Sequence, residues 1–314
     1  MKERIGFIGL GNMGHGMAKN IVEKGWPLTV LGHRRREAVE DLKRRGASEA
    51  ASPLALAAES DVVVLCVTGS PQVEALIHGV KGLAAVDKPL MIIDCSTSDP
   101  ASTMRLAAEL APKQIAFVDA PLSRTPTDAW AGTLDVMVGG DAAALARARP
   151  LLEAFAGRIV GTGPVGTGHA MKLLNNFVAM GYAALYSEAL MIGAKAGLSA
   201  KVFDAVIRGG RMDCLFYQTF FKYVLERDRD AHRFTLSNAL KDVTYLASFA
   251  QALGVANPVG AAVRNSFAQA VGVANPVGAA VRNSFAQAVA CGDGEAYVPM
   301  LSDFVARWNG VPIG

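Results

Sequence analysis

The chain has 314 residues, 51% of them hydrophobic and 19% charged, with a net charge of +3; that length predicts two domains, and so mild a charge carries no nucleic-acid footprint. The four cysteines (Cys66, Cys95, Cys214, Cys291) stand far apart with no CxxC pair, which argues against a zinc or disulfide framework and for a reducing compartment. No run of about 18 uncharged apolar residues reads as a membrane span, so the expectation is a soluble, cytoplasmic protein with neither a membrane nor a nucleic-acid partner.

The stretch "RIGFIGLGNMGHGMAKNIVEKG" opens with a short apolar strand at 5–8, turns at Gly9, Gly11 and Gly14, and continues at helical spacing through Met17, Ala18 and Ile21. "LTVL" at 28–31 then supplies the second strand of a βαβ unit. In that context the first glycine permits the turn, the second admits a pyrophosphate, and the third lets helix pack on strand. Gly9, Leu10, Gly11, Asn12, Met13 and Gly14 are therefore expected to bind a dinucleotide. At the end of the second strand, where NAD-binding proteins carry an acid for the ribose hydroxyls, the chain reads "VLGHRRRE". Gly32 takes the place of the acid, and Arg34, Arg35 and Arg36 follow. A carboxylate there would repel a 2′-phosphate, whereas arginines grip one, so NADP is predicted in preference to NAD, with Arg34 and Arg35 in contact with it.

"DVVVLCV" (61–67) and "LMIIDCST" (90–97) are continuous apolar runs that suit a parallel sheet covered on both faces. Ligands bind at the carboxyl ends of such strands, which adds Val67, Thr68 and Thr97 to the expected cofactor contacts. "DAPLSRTPTDAWAGTL" (119–134) places Ser123, Arg124 and Thr125 in a bend after a short strand. A guanidinium there offers a planar fork of donors to the acid end of a small anionic substrate; the alternative is a pairing with an acid such as Asp128. In "GHAMKLLNNFVAMGYAALYSEALMIGAKAG" a long helix is predicted, with Lys172 and Asn176 on one face at i and i+4 and Asn175 beside them. Leu173, Leu174, Phe177 and Met180 form the opposite, buried side, and His169 is expected at a pocket rim. A desolvated lysine can exchange a proton with an alkoxide near neutral pH.

Taken together, "GFIGLGNMG", "DCSTSDP", "FVDAPLS…GTLDVMVGG", "GPVGTGHAMKLLNN" and the Lys241-Asp242 pair resemble the β-hydroxyacid dehydrogenase family, nearly end to end. The resemblance implies an α/β Rossmann N-terminal domain (1–163) and an all-helical C-terminal domain (164–314), joined by a long interdomain helix, with the active site between them. It implies Lys172 as the catalytic acid or base, Asn176 as its catalytic companion, Asn175 and Lys241 toward the substrate, Lys241 also toward the cofactor, and a homodimer or homotetramer. The reaction implied is hydride transfer between NADP(H) and a small β-hydroxy acid or aldehyde-acid of the 3-hydroxyisobutyrate or tartronate semialdehyde type. The family's loop usually reads Ser-Gly-Gly where this chain has Ser123, Arg124 and Thr125. The Arg-Thr pair is similar to that of sulfolactaldehyde reductases, whose substrate ends in a sulfonate. The other readings are a non-catalytic NADP-binding module, for which the added basic segments are missing, and an imine reductase, for which Lys172 is out of place.

"GVANPVGAAVRNSFAQAV" occurs at 254–271 and again, unchanged, at 272–289, which points to a recent duplication or a cloning error rather than a solenoid. Each copy opens with Asn-Pro, a cap followed by proline at the first helical position.

Overall fold

The computed structural model describes residues 2–33, 36–271, 297–300 and 303; Arg34, Arg35 and the second copy of the repeat lie outside them. The chain forms two compact units, Met1–Lys172 and Leu173–Gly314.

In the first unit strands and helices alternate: β1 (Ile5–Ile8), α1 (Gly14–Glu23), β2 (Leu28–Leu31), α2 (Arg36–Arg44), β3 (Ser48–Ala50), α3 (Pro53–Glu59), β4 (Val62–Leu65), α4 (Ser70–His78), β5 (Leu90–Asp94), α5 (Pro100–Leu110) and β6 (Ile115–Asp119). These six strands are parallel in the order β3-β2-β1-β4-β5-β6. The strands read as unbroken apolar runs because both faces are covered: Val62, Val64, Met91 and Ile93 pack on one side with α1 and α2, while Val63, Leu65, Leu90 and Ile92 pack on the other with α3, α4 and α5. The sheet continues through β7 (Leu122–Ser123), α6 (Pro126–Ala131), β8 (Leu134–Gly139), α7 (Ala142–Leu152) and β9 (Ala156–Gly163), with β8 antiparallel to both β6 and β7 and parallel to β9. This is a Rossmann arrangement, whose order reverses between β1 and β4 and so opens a crevice at their carboxyl ends.

The long helix α8 (Thr167–Lys195) begins in the first unit and runs on into the second. It is followed by α9 (Ala200–Ile207), α10 (Leu215–Glu226), α11 (Leu236–Ala252) and α12 (Pro258–Ala270), so the described residues of the C-terminal part are essentially all-helical. Their core gathers Met180, Ala183 and Leu190 from α8 around Tyr217, Phe220 and Phe221 of α10, and the Tyr217 and Phe221 rings stack with centroids 4.1 Å apart. The first copy of the repeat starts α12 as expected, with Asn257 Oδ1 accepting from the Gly260 amide at 2.9 Å ahead of Pro258.

One expectation for α8 needs correction. Leu173 and Met180 are buried as predicted, but Leu174 is 46% exposed, in a row with Val178, Leu185 and Ile192 on the face away from the core. That second apolar face also makes α8 long and apolar enough, by length and composition, to cross a membrane. Among the described residues it is the one such helix.

Candidate active site

The glycine loop is built as its sequence requires. Gly9 has φ +105°, a conformation open to glycine, and a Cβ there would overlap the Cys66 carbonyl at the end of β4. A Cβ on Gly14 would overlap the Gly9 carbonyl, whereas one on Gly11 meets nothing within 4 Å. Gly11 thus faces open space at the start of α1, a helix with no side-chain cap and no acid in its first turn. With no side chain capping it, this helix N-terminus is the kind of end that receives an anion. These features fit a dinucleotide pyrophosphate, which the backbone of Gly9 to Gly14 would hold.

The next two loops are tied to one another. Ser96 Oγ accepts from the Val67 amide at 3.0 Å, and Ser70 Oγ from the Asp99 amide at 2.8 Å. Ser96 and Ser98 are bonded in turn to the buried Asp94 carboxylate. The serines after β4 and β5 therefore cap loops, while Val67 and Thr97 stay half-buried and Thr68 exposed along the same rim.

Beneath them lies a polar network that the sequence did not flag. Asp119, at the end of β6 and fully buried, accepts from the Gly166 amide at 2.7 Å and the His169 amide at 2.8 Å. It thereby clamps the first turn of α8. His169 is not at a rim: it is 0% exposed, with Nε2 donating to the Ser96 carbonyl at 3.1 Å and Nδ1 2.7 Å from Thr103 Oγ1. Because a carbonyl can only accept, the Nε2 proton is assigned by its partner. Lys172 follows one turn later, carried by a helix start that is bonded directly to the carboxyl ends of β5 and β6. The signal was present in "IIDCSTS" and "FVDAP", where an aspartate closes each apolar strand; an acid in that place is buried and must find donors.

In the loop after β7 the arginine is paired with acids, the alternative that the sequence left open. Arg124 has φ +85°, a left-handed position that a family glycine would occupy without strain. Its Nε pairs with Asp135 at 2.9 Å and its Nη1 lies 3.8 Å from Asp128, so the guanidinium rests on two acids. Asp135 Oδ1 is buried with no hydrogen-bond partner. Thr125 is the N-cap of α6, in a reciprocal box with Asp128. Ser123 is half-buried, opposite Asp135 across β7 and β8. The loop sits against the cofactor helix because Asn20 of α1 donates to the Ala129 carbonyl of α6 at 2.9 Å, a close approach that Gly16 permits.

In the second unit Asn176 is buried and donates to Asp242 Oδ2 at 2.6 Å, while Asp242 Oδ1 pairs with Lys241 Nζ at 2.9 Å. Asn175, one residue earlier on α8, is exposed.

At the end of β2 the three arginines divide. Arg34 and Arg35 lie outside the described residues; Arg36 is taken by carboxylates, bonding Glu49 at 2.5 and 2.9 Å and Glu40 at 2.7 Å.

A Rossmann sheet with a glycine loop at its switch point defines the class of nicotinamide-dinucleotide-binding proteins. Residues 4–163 match the family model for the NAD-binding domain of 6-phosphogluconate dehydrogenase, and residues 166–272 the one described as NAD-binding of NADP-dependent 3-hydroxyisobutyrate dehydrogenase. Among similar proteins, 3-hydroxyisobutyrate dehydrogenase of Pseudomonas aeruginosa is 35% identical, over 83% of this chain and 90% of its own length. The NAD-dependent L-serine dehydrogenase of the same species is 36% identical over 82% and 89%, and 3-sulfolactaldehyde reductase of Escherichia coli 31% over 83% and 87%. The structure of Mycobacterium tuberculosis 3-hydroxyisobutyrate dehydrogenase with L-serine superposes with a TM-score of 0.81 at 27% identity, covering 96% of this chain and 99% of that one. The chain belongs to the β-hydroxyacid dehydrogenase family, whose related enzymes are dehydrogenases and reductases of hydroxy acids.

Proposed function

We propose that the chain transfers a hydride between NADP(H), in preference to NAD(H), and a small β-hydroxy acid or its aldehyde-acid, with Lys172 as the general acid and base. The observation that carries this reading is the clamp of Asp119 on the start of α8, which fixes the helix bearing Lys172 to the same sheet ends that present the glycine loop. The nicotinamide, when bound, supplies or accepts the hydride. Lys172 Nζ gives a proton to the carbonyl oxygen as it becomes a hydroxyl, and takes it back in the oxidative direction. Asn176, its amide held by Asp242, orients the substrate beside the lysine. Gly9 to Gly14, Val67, Thr68 and Thr97 hold the cofactor, Arg34 and Arg35 its 2′-phosphate, and Lys241 and Asn175 reach the substrate, Lys241 the cofactor too. Ser123, Arg124 and Thr125 take the acid end of the substrate.

A second reading is favoured by Arg124, which supplies a guanidinium where the family pattern has glycine: the acid end is a sulfonate, and the enzyme a sulfolactaldehyde reductase. Initial rates of NADPH and NADH oxidation with tartronate semialdehyde, methylmalonate semialdehyde, succinate semialdehyde and sulfolactaldehyde test both. Turnover of a carboxylate supports the first reading, a preference for sulfolactaldehyde the second. Cofactor binding with no turnover of any of the four would favour a non-catalytic binding module.

The same reading includes self-association as a homodimer or homotetramer. Leu174, Val178, Leu185 and Ile192 supply the apolar row along α8 that a second copy would cover. Sedimentation of wild type against Leu185→Asp tests it; a wild-type monomer would overturn it.

A further inference from the structure

The missing acid of β2 returns from the neighbouring strand. Val30 of β2 is paired with Glu49 of β3, and the Glu49 side chain reaches back to the end of β2. A Cβ built on Gly32 would lie 2.5 Å from Glu49 Oε1 and 2.6 Å from Arg36 Nη1. A carboxylate therefore occupies, from another strand, the space into which an acid at residue 32 would project, and Gly32 makes room for it.

We propose that Glu49 is a specificity-determining residue for the cofactor: it stands at the adenosine ribose position and opposes the 2′-phosphate that Arg34 and Arg35 are expected to favour. This inference rests on the reading that the chain binds NADP(H). The argument is one of charge. Arg36 is hydrogen-bonded by both terminal nitrogens to Glu49 and also to Glu40, and Lys43 lies 3.6 Å from each of the same two acids. Two cations and two anions leave this cluster with no net charge to offer a phosphate. The Arg36 hydrogen bonds hold the Glu49 carboxyl below its usual range, so it is ionised at neutral pH. Such a carboxylate keeps a lone pair for a 2′-hydroxyl, repels a 2′-phosphate, and withholds Arg36 from it.

The test is direct binding of NADPH and NADH to the whole protein, followed by nicotinamide fluorescence. Glu49→Gln should tighten NADPH and raise the preference for NADPH over NADH at least fivefold. Arg36→Gln should lower that preference, because Glu49 is then unneutralised, and Glu49→Asp should keep it within about twofold of wild type. A preference unchanged in Glu49→Gln, in a variant that melts as wild type does, would overturn the inference. A Glu49→Gln protein that fails to fold leaves Arg36→Gln to decide, and an unchanged preference there overturns it equally. If the wild type binds NADH more tightly, the NADP reading fails, while a shift in Glu49→Gln still supports the role of Glu49.

Discussion

The Asp119 carboxylate accepts the backbone amide of His169 at 2.8 Å, both groups fully buried, and so joins the last residue of β6 to the helix turn that precedes Lys172. Replacement by asparagine removes the charge and one of the two acceptor oxygens, leaving an amide of Gly166 or His169 unsatisfied. A loss of about 1–3 kcal/mol in stability is expected, together with a fall in kcat larger than any change in KM. Urea unfolding and steady-state rates check the two parts separately.

Lys172→Ala should lower kcat by about 10²- to 10⁴-fold, the usual contribution of a positioned acid or base, while the affinity for NADPH stays within a few-fold of wild type. A variant that lost cofactor binding in proportion to kcat would place the lysine in a binding role.

Arg124 holds a left-handed backbone with a full side chain, and its guanidinium is paired with Asp135. Arg124→Gly relieves the backbone and is expected to stabilise the fold by up to about 1 kcal/mol, yet to raise KM far more than it lowers kcat. Asp135→Asn frees the guanidinium and should lower KM. A melting temperature and a KM that both rise in Arg124→Gly are the signature of a strained binding residue.

Burial pushes the Cys66 thiol up to about 12, and the Cys95 thiol is raised as well. Both are therefore thiols rather than thiolates near neutral pH. With a thiol-exchange reagent at pH 8, Cys214, which is exposed at the start of α10, should react ahead of Cys66 and Cys95, and these two should follow only with unfolding. Fast labelling of Cys66 in the native protein would contradict this.

His232 packs edge-on to Phe216, and burial lowers its pKa from 6.5 to about 4. The unfolded chain then binds a proton between pH 6.5 and 4 that the folded chain does not, so stability is full above the unfolded value and is lost as pH falls toward the folded one. Because solvent reaches part of the ring, about 1–2 kcal/mol is expected rather than the full shift. Stability measured from pH 7 to 4.5 should fall less steeply in His232→Phe than in wild type.

Much of the candidate site was legible along the chain because it is made of local signals. The glycine turn needs residues at fixed offsets, β1 and β2 were readable to the residue, and the i, i+4 spacing set Lys172 and Asn176 one turn apart. What was not legible is pairing between distant residues. Arg124 could be seen to need an anion, but whether Asp128, Asp135 or a substrate supplies it depends on β7 lying against β8. His169 looked like a rim residue because nothing in its neighbours along the chain reveals Asp119, Ser96 and Thr103 closing over it.

By itself the sequence determined the class of fold and the kind of chemistry: unbroken apolar strands demand a sheet covered on both faces, and glycines before a helix leave amides for an anion. The tertiary structure alone decided which charges meet. Gly32 read as the absence of an acid, yet β3 returns Glu49 to that place, because strand pairing brings together residues far apart in the sequence and electrostatics acts through space rather than along the chain.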